Sequence, residues 1–139
     1  MTRLTTARWV LVASPKLARS LGVIRSFDNL PWISWGERLG GIGAARWLAK
    51  HGRHTEPVVR SDSLAVQLAA VAAGVGVALM PEPSVRHYGL VQPKVARVLH
   101  EAASEWPQDE LYLVTHRALQ TVPRVRVVWD LLLERWGGR

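Results

Sequence analysis

The stretch from residue 57 to residue 81 constrains the fold more than any other part of the sequence. Two β-branched residues at 58–59 predict a strand, and the apolar run at 75–80 predicts a second strand that is buried on both faces. Between them, residues 64–72 carry Leu and Val at helical spacing, and Gly74 suits the left-handed residue that ends a helix. Strand, helix and strand with short connections predict one βαβ unit with a parallel pair of strands.

Two turns at strand ends supply polar groups that could bind a ligand. The Ser61-Asp62-Ser63 turn follows the first strand of the βαβ unit and can also cap the helix, so capping alone is an equally good explanation. The Ser34-Trp35-Gly36 turn ends a strand predicted at 31–35. If the two strands lie in one parallel sheet, both turns open at one edge and form a crevice for a small anionic or polar molecule. The candidate ligand-binding residues are Ser34, Trp35, Gly36, Ser61, Asp62 and Ser63.

The composition is that of one globular domain. The chain has 139 residues, of which 48% are hydrophobic and 21% charged, enough for a hydrophobic core. The absence of Cys excludes disulfides, thiolate metal sites and cysteine nucleophiles. The net charge of +7 comes from scattered basic residues, which favours a solvated basic surface over a nucleic-acid interface. No apolar run reaches the ~18 residues of a membrane span, and we expect a cytoplasmic protein that does not contact a membrane.

The same signals predict the remaining elements. Strands are expected at 9–13, 95–99 and 111–115, helices at 15–21, 43–50 and 123–136, and one or two helical turns at 83–88. Residues 1–7 are polar and expected to fray, and 100–109 reads as a polar loop. Because helices alternate with strands, the predicted fold class is α/β.

Two other patterns suggest chemistry, and each has a simpler explanation. The Gly41–Gly43 loop precedes a helix, and Asp62 follows about 20 residues later, as in a dinucleotide site. Arg46 replaces the third glycine, so a flexible loop before an amphipathic helix explains the pattern as well. His51 and His54 have H-x-x-H spacing without a third ligand nearby, which favours exposed histidines over a metal site. A small nucleotide-dependent α/β enzyme using the Gly41–Gly43 loop and Asp62 is therefore the alternative to a binding protein.

Four stretches together resemble the effector-binding domain of LysR-type transcriptional regulators. They are WVLVASPKLARSLG at 9–22, LPWISW at 30–35, VVRSDSLAVQLAAVAAGVGVALMP at 58–81 and LYLVTHRALQTVPRVRVVWDLLLERW at 111–136. The family pattern runs in the same order: a strand into Ser-Pro and a helix, a Leu-Pro strand, an Asp-Ser helix, a Gly-rich strand, and a final strand and helix. The resemblance covers nearly the whole chain.

The resemblance implies a type 2 periplasmic-binding-protein-like fold, in which two α/β lobes enclose a ligand. By position, residues 8–139 would be a partial effector-binding domain, with 8–105 as the second lobe and 110–136 as the strand and helix that return to the first lobe. The two turns named above would face the cleft and bind a small-molecule effector, expected to be a small organic anion. The resemblance implies no catalysis, no cofactor and no metal, and DNA contact only through a helix-turn-helix domain absent from this chain.

The C-terminal helix predicts self-association. Its stripe is too apolar to face water, and consists of Val125, Val128, Trp129, Leu132 and Trp136. In the family this stripe would pack on the sheet of the first lobe, and we expect most of that sheet to be missing from this chain. We therefore expect a homo-oligomer, most simply a dimer with two-fold symmetry.

Overall fold

The computed structural model describes residues 1–52 and 54–137 and has two compact units. The larger unit is Arg8–Pro107, and the smaller combines Met1–Ala7 with Gln108–Arg139. The strands are β1 (Thr2–Val12), β2 (Ile33–Ser34), β3 (Val59–Arg60), β4 (Ala78–Pro81) and β5 (Gln108–Leu113). The α-helices are α1 (Pro15–Leu21), α2 (Gly43–His51), α3 (Leu64–Ala72), α4 (Pro83–His87), α5 (His100–Ser104) and α6 (Pro123–Trp136), with 3-10 turns at Glu37–Leu39, Arg97–Leu99 and Arg117–Leu119. The assignment of lobes to residues 8–105 and 110–136 stays a prediction.

The helix boundaries follow the capping residues that the sequence predicts. Ser14 caps α1, because its Oγ accepts the Leu17 N–H at 3.2 Å, and Gly22 ends the helix with φ 62°. Ser63 caps α3 in the same way, and Gly74 follows that helix with φ 78°. These predictions are confirmed because each depends only on residues next to the helix end.

The sequence predicted that the strand at 58–59 pairs in parallel with the strand at 75–80, and this prediction was wrong. β3 pairs in parallel with β2, in the register Ile33↔Val59 and Ser34↔Arg60. The start of the 75–80 run bridges to the other side of β2, where Val77 pairs with Trp32, so β2 lies between the two strands of the βαβ unit. β4 then pairs antiparallel with β1. Gly76 permits this arrangement, since a Cβ there would clash with the Pro31 carbonyl oxygen.

Three other predictions were wrong because a local sequence pattern does not reveal packing partners that lie far away in the chain. Residues 1–7 do not fray, because Thr2 begins β1 and β5 lies beside this strand. The strand expected at 95–99 is a single bridge between Val95 and Ile24 followed by a 3-10 turn. The loop expected at 100–109 contains α5, whose alanines pack against the hydrophobic core.

The larger unit has hydrophobic clusters on both faces of its sheet. Alternate side chains of β1 point to opposite faces, so Trp9 and Leu11 join one cluster while Val10 and Val12 join the other. The first cluster is rich in aromatic residues and includes Phe27, Trp32, Trp35 and Trp47. The second holds Ile33, Leu68, Val71 and Met80. No described helix is long and apolar enough to cross a membrane.

Candidate functional site

The two turns that the sequence singles out lie at the same edge of the sheet. β2 and β3 are parallel neighbours, so the chain leaves both strands in the same direction, at Ser34 and at Arg60. A backbone hydrogen bond joins the turns, because the Ser61 N–H donates to the Ser34 carbonyl oxygen at 3.0 Å. This confirms that the two turns open at one edge of the sheet.

Gly36 and Asp62 form a close contact between the two turns. A Cβ added to Gly36 would lie 2.7 Å from Asp62 Oδ1, so only glycine fits beside this carboxylate without a shift. Asp62 Oδ1 is buried and has no hydrogen-bond partner within residues 1–52 and 54–137. Arg38 Nε lies 3.9 Å from the other oxygen, Oδ2, but the Arg38 side chain is 87% exposed, so this ion pair is weak.

The hydroxyls of Ser61 and Ser63 hold the start of α3 in place. Ser61 Oγ accepts the Ser63 N–H at 3.1 Å, and Ser63 Oγ accepts the Val66 N–H at 3.3 Å. Gln67, which is 1% exposed, donates from Nε2 to the Ser61 carbonyl oxygen at 2.8 Å. Both hydroxyls therefore have structural partners, as the capping explanation predicts.

A cavity of about 410 Å³ opens beside the first turn. Its lining includes Ser34, Trp35 and Gly36 among the predicted residues, and does not include Ser61, Asp62 or Ser63. The other lining residues are Glu37, Gly40, Ala45, Leu48, Ala49, Gly52, Thr55, Pro57 and Arg60. The structure thus brings all six predicted residues to one edge but places only the first three in the wall of this cavity.

Ser34 and Trp35 form part of the cavity wall while being largely buried. Ser34 is 7% exposed, and no hydrogen bond of its hydroxyl is found among the described residues. The Trp35 ring belongs to the aromatic cluster and lies 6.5 Å from the Trp9 ring, measured between centroids. Trp35 therefore forms part of the cavity wall through its packing in the aromatic cluster. The Ser34 hydroxyl is a polar group of the wall that is free to donate or accept a hydrogen bond.

Sequence reasoning missed the wall that α2 provides and the charge that β3 provides. Ala45, Leu48 and Ala49 give the cavity an apolar side, and Arg60 gives it a cation. Arg60 Nη2 makes only a loose ion pair, at 3.4 Å, with Glu56, whose side chain is 94% exposed. The sequence did contain a signal for Arg60, since this basic residue lies between the strand predicted at 58–59 and the Ser61 turn.

In the Gly41–Gly43 loop, the second glycine is covered by a neighbouring residue. A Cβ added to Gly43 would lie 3.1 Å from Pro107 Cγ, so a proline ring covers this glycine. Asp62 contacts the Gly36 turn instead of serving this loop. The geometry gives the nucleotide-dependent alternative no support. Within the part of the chain that the structure describes, no cluster of three or more His, Cys, Asp or Glu side chains could hold a metal ion.

His51 takes part in a small ionic cluster at the end of α2. Glu105 Oε2 lies 2.8 Å from Lys50 Nζ and 3.0 Å from His51 Nε2, and the His51 ring packs on Trp47 with 4.9 Å between centroids. The hydrogen bond from Lys50, then that from His51, lowers the pKa of Glu105 from its ordinary value. This cluster ties α2 to the segment after α5, which is a structural role.

Comparison with known proteins identifies the fold. The regulatory domain of CrgA, a LysR-type transcriptional regulator from Neisseria meningitidis, superposes with a TM-score of 0.74 at 19% identity, covering 98% of this chain and 68% of that one. The effector binding domain of QuiR in complex with shikimate gives 0.58 at 14% identity, with 97% and 64% covered. Full-length AphB from Vibrio cholerae gives 0.63 at 16% identity, with 96% and 46% covered. No curated protein sequence matches this chain.

These likenesses assign the architecture, and a family model assigns the family. The fold is the α/β, type 2 periplasmic-binding-protein-like fold of LysR regulatory domains, of which this chain spans part of the length. The model of the LysR substrate binding domain matches residues 1–137, which is nearly the whole sequence. The chain therefore belongs to the family of LysR substrate binding domains.

Proposed function

We propose that this chain is the effector-sensing part of a LysR-type transcriptional regulator and that it acts by binding and not by catalysis. The observation that carries the proposal is the cavity at the carboxyl edge of β2 and β3, lined by the Ser34-Trp35-Gly36 turn. Its volume of about 410 Å³ is in the range of small-molecule sites. In such a regulator, DNA is bound by a separate helix-turn-helix domain, and the protein works as a homo-oligomer.

The proposed effector is a small organic anion with an apolar body. Arg60 offers a guanidinium whose present partner, Glu56, is almost fully exposed and easily displaced. The Ser34 hydroxyl lies in the same wall and can donate to a carboxylate oxygen. Ala45, Leu48 and Ala49 face the same space and would cover the apolar part of the molecule.

The second turn has a supporting part in this proposal. Ser61 and Ser63 keep the turn and α3 in place, and the unpaired Asp62 oxygen can accept a hydrogen bond from a donor on the effector. All six residues predicted from the sequence thus remain candidate binding residues, with Ser34 and Arg60 as the direct anion contacts.

The test is a thermal-shift and calorimetry screen with small organic acids, shikimate among them, each beside its uncharged carboxamide. We expect at least one acid to raise the melting temperature and its carboxamide to fail. Ser34→Ala and Arg60→Gln should each weaken binding by about tenfold or more, because each removes a hydrogen bond to a charged group. Neither substitution should lower stability appreciably, whereas Ser63→Ala should cost about 1 kcal/mol of stability through the lost helix cap.

Arg97→Gln is the matched control, because Arg97 is exposed and does not line the cavity. Binding that is unchanged in both Ser34→Ala and Arg60→Gln would contradict the assignment of the cavity. Stabilisation by NAD(P) or ATP that disappears in Asp62→Ala would replace the proposal with the nucleotide-dependent enzyme.

A further inference from the structure

The cavity beside the Ser34-Trp35-Gly36 turn is lined by two side chains of opposite charge. Glu37 and Arg60 both belong to its lining, and both are exposed. They do not pair with each other, because the ion pair of Arg60 is with Glu56, and Glu37 forms none within residues 1–52 and 54–137. A cavity of about 410 Å³ therefore contains a carboxylate without a partner as well as a cation.

The backbone places these two charges within the span of one small molecule. Arg60 is the register partner of Ser34 in the parallel pair of β2 and β3, and Glu37 follows Ser34 by three residues. Three residues span at most about 11 Å when extended. The chain enters a 3-10 turn at Glu37, which shortens this distance further. A single ligand in the cavity can therefore contact both charged groups.

The residues next to Glu37 do not neutralise its end of the cavity. Asp62 lies directly against Gly36, and its buried Oδ1 has no hydrogen-bond partner among the described residues. Arg38 Nε lies 3.9 Å from Asp62 Oδ2, but the Arg38 side chain is 87% exposed and offsets little of this charge. In the part of the chain that the structure describes, these two carboxylates have no third metal-ligating side chain beside them. An organic cation therefore suits this end better than a metal ion.

This arrangement of charges disfavours a ligand whose only charged group is a carboxylate. A carboxylate bound by Arg60 and Ser34 would share the cavity with Glu37, and like charges repel. An ammonium group on the same ligand replaces that repulsion with attraction, since it can face Glu37 while the carboxylate faces Arg60. Repulsion of simple acids and attraction of amino acids together give selectivity.

We infer that the effector carries an ammonium group besides its carboxylate, as an apolar amino acid does, and that Glu37 selects for it. This ligand class rests on the effector-binding role proposed for the same cavity and narrows it. Ser34 and Arg60 bind the carboxylate, and Glu37 binds the ammonium group. The apolar side chains of α2 cover the rest of the molecule.

Calorimetry with three forms of each ligand tests the role of Glu37. The probes are valine, leucine and phenylalanine, each beside the acid that lacks the amino group and the amide that lacks the carboxylate. We expect at least one amino acid to bind about tenfold more tightly than both partners, because each partner loses a contact between charged groups. Glu37→Gln should abolish the advantage over the acid and also strengthen binding of that acid, since the repulsion is gone. Arg60→Gln should weaken the amino acid and the acid alike.

Glu82→Gln is the matched control, with the same change in charge at an exposed position that does not line the cavity. It should leave every affinity unchanged. Acids that bind as tightly as the amino acids, with both weakened by Arg60→Gln, would overturn the ammonium contact and leave the effector proposal intact. A Glu37→Gln variant that keeps the full preference for the amino acid would overturn the role of Glu37. If no probe binds, the amino-acid class is overturned, and the effector proposal fails with it only if no screened organic acid binds either.

Discussion

Helices α3 and α6 are both rich in apolar residues, yet α3 buries apolar side chains and α6 leaves them exposed. α3, in the larger unit, buries Leu68 at 4% exposed and Val71 at 0% against the cluster that contains Ile33. α6, in the smaller unit, leaves Val127 and Leu131 more than half exposed and buries no residue. The comparison teaches that an apolar stripe predicts a face to be covered, whereas the covering element decides whether the stripe contributes to stability.

The largest expected effect is the loss of stability when a leucine side chain is truncated to alanine, and it should differ between the two units. Leu11→Ala deletes a leucine that is 1% exposed, and should destabilise the chain by about 2–5 kcal/mol through lost burial and a residual cavity. Leu131→Ala deletes one that is 59% exposed, and should change stability by less than about 0.5 kcal/mol. Urea unfolding at low protein concentration measures both. Similar losses in the two variants would show that α6 is covered in solution.

A smaller effect tests how far the tight packing of the larger unit extends toward its polar edge. Gly36→Ala should cost about 1–2 kcal/mol, because the new Cβ would meet the Asp62 carboxylate at 2.7 Å. Gly41→Ala is the matched control, since nothing lies within 4 Å of a Cβ at that position. Combining Gly36→Ala with Asp62→Ala should remove most of the added cost. If the two glycine variants unfold at the same urea concentration, the turns move apart easily and the edge is loosely packed.

The smallest expected effect concerns the pKa values of two exposed carboxylates, Glu105 in the larger unit and Glu110 in the smaller unit. The Lys50 and His51 hydrogen bonds lower the pKa of Glu105, and the Tyr112 hydroxyl, then Arg3, lowers that of Glu110; the ordinary value of both is 4.5. A lowered folded-state pKa means that each carboxylate stabilises the fold above 4.5 and loses this contribution as the pH falls through the lowered value. Both groups are exposed, so the contributions are small.

Titration followed by carbon NMR of the Glu side chains measures these two pKa values. Lys50→Met should move the pKa of Glu105 back toward 4.5, and Tyr112→Phe should do the same for Glu110. In the original chain, a Glu110 that titrates at 4.5 beside a lowered Glu105 would show that side chains on β5 are held less firmly than those near α2. That result would sharpen the contrast between the units.

The sequence predicts those features that depend on neighbouring residues. The Ser14 and Ser63 caps and the glycines after their helices follow from local hydrogen bonding and backbone conformation, and the structure contains them. The edge where the two turns meet was also predictable, because it requires only that β2 and β3 be parallel.

Features that depend on residues distant in sequence were not predictable in the same way. β2 enters between the strands of the βαβ unit through a close backbone approach of Gly76 to Pro31, which no periodicity indicates. The α2 wall of the cavity exists because Trp47 and Leu48 of that helix join the hydrophobic cluster that contains Trp32. Gln67 did have a signal, as the one polar residue in the helix LAVQLAAVA, and it positions the Ser61 turn.

The long strand β1 has a consequence for how the chain is made. It has 11 residues and precedes in the chain both strands beside it, β4 and β5. The ion pair between Arg3 and Glu110 joins residues that are 107 positions apart. During synthesis the apolar part of β1 must wait until β4, at residues 78–81, has emerged before it can pair, and contacts this distant form slowly. Expression yield should therefore depend on how well that strand is kept from other chains in the interval, which is a kinetic demand separate from the stability of the finished fold.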